Sequence, residues 1–245
     1  MSELFILALL VIFFSTLVRS AFGFGDALLA MPLLALLMPV KTAAPVVAMI
    51  SITVAVYILI GNFRKVEFKS LWVLIVSSIL GIPAGLIYLK DTADELVKIV
   101  LGVMLMLFAL FKLLKPGLIE LKSAKSAPVF GFVSGILGGA YNTNGPPVII
   151  YGTLRAWPPD KFRAILQGFF LPVNIFIIIG HYAAGLWTEK AVYLFLWSFP
   201  VMAAAILLGS YINKKIPSEK FTKYIYILLF FIGLYLCVNV IFFYN

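Results

Sequence analysis

Apolar residues run through this chain in long blocks. Ten segments stand out, at approximately 3–20, 26–39, 42–62, 68–89, 93–114, 127–140, 145–156, 161–184, 188–212 and 218–243. Open backbone is too costly in hydrocarbon, so each segment is expected to be helical. Most have the length of a full membrane span, about 20 residues. The segments 26–39, 127–140 and 145–156 do not. A helix of 14 residues rises roughly 21 Å against a hydrocarbon core of roughly 30 Å. These three are expected to stop midway or to turn back as hairpins, which leaves eight to ten transmembrane or re-entrant helices.

Composition agrees with the pattern. Of 245 residues, 63% are hydrophobic and 12% charged, with a mean hydropathy of +1.11, whereas a soluble domain keeps roughly a quarter of its residues charged. The fold class is therefore an all-α integral membrane protein. Its first segment carries Glu3 and no basic leader, so it reads as a retained span rather than a cleaved signal. The formal net charge of +9 does not point to nucleic acid, because the basic residues sit in short loops between apolar blocks, where they set topology. Threading the segments puts 15 of them on one side, from Arg19, Arg64, Lys65 and Lys69 to Lys214, Lys215, Lys220 and Lys223. Lys41, Lys90, Lys98 and Lys190 fall on the other. The first side is expected to be cytoplasmic, with both termini outside, in a multi-pass protein of the inner or plasma membrane.

The two halves of the chain resemble each other. "GLIYLKDTADE" (85–95) aligns with "GSYINKKIPSE" (209–219), placing Gly85, Lys90 and Glu95 on Gly209, Lys214 and Glu219. Upstream, "GFGDALLAMP" (23–32) parallels "GGAYNTNGPP" (138–147), with Pro32 on Pro147. Each half holds five segments, an odd number, so the second enters the membrane from the opposite face. The expected organisation is an N-terminal repeat (1–116), a cytoplasmic linker (117–126) and a C-terminal repeat (127–245). Inverted repeats are a common plan of secondary transporters, and Gly/Pro-interrupted segments at matching positions mark their substrate site.

The interruptions carry the candidate chemistry. Gly138, Gly139 and Gly145 weaken a helix, and Pro146 and Pro147 remove two backbone donors. A new short helix is expected from Pro146 with Asn144 near its N-cap. Irregular backbone at membrane depth persists only beside protein or a water-filled cavity, and a helix N-terminus placed there favours an anion. The break at Gly23–Gly25 would bring a second helix end to the same place. Asn142, Thr143, Asn144 and Gly145 on one side, and Gly23 and Gly25 on the other, are the candidate anion-binding residues. An ordinary extramembrane turn is the plainer reading of the same Asn-Gly-Pro residues.

The pair "GFGDALLAMPLL" and "GGAYNTNGPPVIIYG", with "RAWPPDKFRA" downstream, resembles the TauE/SafE sulfite exporter family of membrane permeases, from about residue 10 to residue 240. The resemblance implies transport of sulfite, sulfoacetate or related small acids. One departure stands out: position 26 is Asp where the resemblance leads one to expect Gly.

Segment 161–184 places Arg163, Gln167, Asn174 and His181 on one helical face. Polar groups inside spans are costly and usually face a bundle interior or a water path. Arg163 can bind an oxoanion through two N–H groups, or belong to the loop and snorkel. Gln167 and Asn174 either line the path or bond across helices. His181, near the outer end, reads as interfacial, with a proton relay as the alternative. Asp26 is the acidic residue of the Gly-rich breaks. Buried alone it would hold a proton and couple proton to anion; beside Arg19 or Arg163 it would be a counter-ion, and at the start of its helix it could cap. The row Ala44, Ala48, Ser51, Ala55 reads as a close-packing seam.

A lone Cys237 and a lone His181 exclude a disulfide framework, a Cys cluster and a multi-histidine metal site. No cofactor and no catalytic residue is expected. The partners are a small anion and the lipid bilayer, with a homo-oligomer left open. An anion channel, and a membrane enzyme or assembly scaffold, are the alternatives to a permease.

Overall fold

The structure is a computed structural model describing residues 3–22, 25–60, 71–114, 121, 123–213 and 218–243. Among these, ten α-helices form in order: α1 (Glu3–Phe22), α2 (Asp26–Leu37), α3 (Val40–Ile60), α4 (Trp72–Asp91), α5 (Asp94–Leu113), α6 (Ala127–Tyr141), α7 (Gly145–Leu154), α8 (Pro159–Ala183), α9 (Glu189–Asn213) and α10 (Ser218–Phe243). Six are long and apolar enough to span a bilayer: α1, α3, α4, α5, α9 and α10. The three segments expected to be short are short. They are α2, α6 and α7, and α7 starts at Gly145, one residue before the expected Pro146.

The helices are apolar inside and out. Ile12, Met31, Leu34, Leu101 and Phe169 are fully buried, while Leu7, Leu10 and Phe14 of α1 and Leu80 and Ile87 of α4 are exposed. A helix that is hydrophobic all round requires an apolar surrounding as well as an apolar core. The molecule is an all-α integral membrane protein.

Helix pairing follows backbone proximity. α4 packs along α6, α1 along α9, α5 along α10 and α3 against α8. Between α4 and α6 the contact is backbone on backbone. A Cβ added at Gly85 would lie 2.1 Å from the Ile136 carbonyl oxygen, one at Gly135 1.9 Å from that of Ser78, and one at Gly139 2.4 Å from that of Ile82. Such small-residue seams are how helices associate where lipid removes the hydrophobic incentive. Gly102 and Gly233 face each other in the same way between α5 and α10.

These contacts assign an end of the molecule to each helix terminus. The Asp94 carboxylate accepts from the Val40 N–H at 2.7 Å, and Lys41 Nζ donates to the Lys90 carbonyl at 2.7 Å, so α3 begins where α4 ends and α5 begins. At the opposite end, Arg155 Nη1 donates to the Leu121 carbonyl at 2.6 Å and Lys112 Nζ to Thr153 Oγ1 at 3.1 Å. α7 therefore returns to the end where α6 started, and the Phe130 and Tyr151 rings, 5.3 Å apart, close the pair. α6 and α7 form a helical hairpin.

Arg64, Lys65, Lys69, Lys115, Lys122, Lys214 and Lys215 lie outside the described residues. Arg19 is a correction to the charge sorting. It is no loop cation but is 2% exposed, inside the bundle.

Candidate functional site

Two backbone interruptions meet in the middle of the bundle. At the first, Gly25 adopts φ 101°, ψ −2° and opens α2 as its N-cap; this left-handed conformation favours glycine because it carries no Cβ. The Leu29 N–H closes the first turn on the Gly25 carbonyl at 3.1 Å. At the second, Asn142 ends α6 at φ 55°, ψ 17°, the left-handed region that asparagine tolerates better than most residues. The chain then turns through Thr143 and Asn144 and enters α7, whose first residues include Pro146 and Pro147.

One cavity joins the two breaks. Its polar lining comes from Arg19, Asp26, Ser51, Asn142, Thr143, Asn144 and Asn174, and its apolar wall from Leu28, Ile149 and Phe170, with Gly25 and Gly145 at the helix ends. It holds about 20 Å³, room for one water or two. Every one of its polar side chains is buried.

The hydrogen bonds inside it form two groups. In the first, Arg19 Nη1 donates to Asp26 Oδ2 at 2.5 Å, the Ser51 hydroxyl donates to the same oxygen at 2.7 Å, and Asn142 Nδ2 donates to Ser51 Oγ at 3.0 Å. In the second, Asn144 Nδ2 donates to Asn174 Oδ1 at 3.0 Å, while the Asn144 carbonyl accepts from the Ser134 hydroxyl. Three buried polar side chains of the cavity lining keep four atoms without a protein partner: Arg19 Nε and Nη2, Asn142 Oδ1 and Thr143 Oγ1. Buried polar atoms are satisfied in the great majority of cases, so such a concentration marks a place where another molecule bonds.

Backbone donors add to it unequally. The first N–H groups of a helix have no intrahelical acceptor, and at α2 these belong to Asp26, Ala27 and Leu28, all lining the cavity. At α7 the two prolines supply none. Asp26 is the first residue of α2, not its N-cap, and its carboxylate turns to Arg19 and Ser51. Asn144 stands at the N-cap of α7 but makes no side-chain cap bond; its amide reaches across to α8.

The structure thus gathers Gly25, Asp26, Asn142, Thr143, Asn144, Gly145 and Asn174 around one cavity. Gly23 lies outside the described residues, as do the side chains of Arg163 and Gln167. His181 is not at the cavity, and the interfacial reading of it is corrected: it is fully buried, its Nε2 2.9 Å from the Gly139 carbonyl oxygen and its Nδ1 without a partner. Ser51 is also a correction. Its neighbours Ala44, Ala48 and Ala55 are buried packing residues, but Ser51 bridges Asp26 and Asn142. The visible signal was a hydroxyl in a row of alanines one helix away from the only acidic break. Among the described residues no group of three His, Cys, Asp or Glu side chains could hold a metal ion.

A buried polar cavity at two helix interruptions, within a multi-pass bundle, is an arrangement found in membrane transporters. The profile of the family described as Sulfite exporter TauE/SafE matches residues 8–236, and the chain belongs to that family of membrane transporters. A curated relative, the probable sulfite/organosulfonate exporter TauE of Cupriavidus necator, is 24% identical over 157 residues. The match covers 62% of this chain and 61% of that relative, less than two thirds of its length. No solved structure matches the chain.

Proposed function

We propose that the chain is a secondary transporter for small sulfur-containing anions, sulfite or an organosulfonate such as sulfoacetate, held at the cavity between the broken helices. The observation that carries this is the convergence of two helix interruptions on one cavity of buried polar side chains, several with unpartnered atoms. Unpaired N–H groups of α2, the Asn142, Asn144 and Asn174 amides and the Thr143 hydroxyl suit an oxoanion. The name of the relative from Cupriavidus necator supports the substrate class. Arg163 and Gln167 of α8 are proposed to add donors. Asp26, with His181 second, is the candidate proton carrier, since a carboxylate beside the anion couples the two charges. The cell membrane is its proposed location.

The transport cycle is alternating access of two inverted repeats, 1–116 and 127–245, around the fixed site. Support comes from the helix pairing: exchanging α1–α5 for α6–α10 turns the α4–α6 contact into the α9–α1 contact and leaves α5–α10 and α3–α8 unchanged. A small cavity lined by buried side chains fits a gated carrier better than a standing pore.

The test is electrical current across proteoliposomes challenged with sulfite, sulfoacetate, isethionate, taurine, sulfate and chloride at two pH values. Saturating current for one sulfur oxoanion, lost in Asn144→Leu, is the expected result. A radiotracer exchange assay reads an electroneutral cycle. A folded protein silent in both assays for every anion overturns the reading.

A further inference from the structure

We infer that Arg19 is the cation that holds the transported anion and that Asp26 is its resident competitor, so that substrate binds by displacing the Asp26 carboxylate from the guanidinium. This rests on the reading of the chain as an anion carrier and names how its site takes the substrate.

The first argument is the state of the guanidinium. Arginine presents five N–H donors in a rigid fork that matches an oxoanion through two parallel bonds. Here a single nitrogen, Nη1, meets Asp26, while Nε and Nη2 are buried and without partners. The pairing is one-pronged where a dedicated structural bridge would use two. The Phe170 ring lies 5.7 Å from the guanidinium carbon and holds the group against the cavity wall. Arg19 and Asp26 are the charged residues that line the cavity among the described residues.

The second argument is space. The carboxylate seated on Arg19 lines a small cavity of about 20 Å³, so an anion that takes the guanidinium takes the place the carboxylate now fills. Asp26 is the group whose removal uncovers donors as well as room. Its oxygen engages both Arg19 Nη1 and the Ser51 hydroxyl, and both are returned to an incoming anion. The Thr143 hydroxyl, unpartnered now, flanks the same place, and the Asn142 amide donates to the Ser51 hydroxyl oxygen beside it. A displaced carboxylate stays in a favourable place, because Asp26 is the first residue of α2 and the positive end of that helix favours negative charge. The three oxygens of a sulfonate or sulfite then replace one carboxylate on a site built of neutral donors around one cation.

The experiment is equilibrium titration of sulfite and sulfoacetate into the purified full chain in detergent, with the melting temperature recorded for every variant. In Asp26→Asn the competitor is gone and affinity should rise roughly tenfold. The double variant R19Q/D26N replaces both charges by neutral near-isosteres and leaves no buried charge unpaired. It should melt close to wild type and bind at least about 100-fold more weakly than D26N. R19K/D26N keeps the charge without the fork and should fall between them. Equal affinity in D26N and R19Q/D26N overturns the role of Arg19, and equal affinity in D26N and wild type overturns the competition. Should R19Q/D26N not fold, R19K/D26N binding as tightly as D26N overturns the forked anchor. Those results leave the carrier reading standing if the wild type binds an anion, whereas a folded wild type that binds neither anion and passes no current overturns both.

Discussion

The two helix interruptions meet at one cavity with opposite means. At α2 the turn is made by a left-handed glycine, the first-turn N–H groups are all present, and a charged pair, Arg19 with Asp26, stands beside them. At α7 the turn is made by a left-handed asparagine, two prolines have removed backbone donors, and every polar side chain is neutral. One side supplies charge and dipole; the other supplies shape and uncharged hydrogen bonds. A site divided in this way gains attraction for an anion without burying a second cation, whose desolvation would cost several kcal/mol.

The comparison can be broken most severely on its charged side. Arg19→Ala leaves the Asp26 carboxylate buried and unpaired, and should lower stability by about 3–5 kcal/mol, read as a large fall in melting temperature in detergent. Adding Asp26→Asn should restore most of it. Next in size is Gly25→Ala. At φ 101° a side chain costs about 1–2 kcal/mol, although the Cβ itself would meet only Val18 at 3.7 Å; thermal unfolding measures this. Asn142→Gly sharpens the contrast from the neutral side. Glycine accepts the left-handed turn, so only the bond to Ser51 is lost, about 0.6 kcal/mol for an average interhelical hydrogen bond in a membrane, and the melting temperature should hardly move.

Much of this arrangement was legible in the residues. Asn-Thr-Asn-Gly-Pro-Pro inside a greasy chain announces a break at any depth, and the nearness of Arg19 to Asp26 along the chain made their pairing foreseeable. The short segments followed from length alone. What the pattern could not carry was partnership across space. Ser51 sits on a row of small residues, and periodicity gives its face but not the carboxylate opposite. His181 ends an apolar helix, yet the close approach of α6 buries it against Gly139. Gly81, Gly85, Gly131 and Gly135 are conspicuous only once α4 and α6 are seen to lie along each other.

The pairing of α1 with α9 has a consequence for biosynthesis. Gly209 of α9 rests against Leu17 and Ser20 of α1, partners separated by nearly the whole chain. Synthesis runs from the N-terminus at about 5–20 residues per second. The opening hairpin, which carries Arg19 and Asp26, must therefore wait many seconds in the membrane before its flank is covered. The ion pair can shelter the two charges from lipid during that wait, so the first residues inserted are among the last to be locked in place.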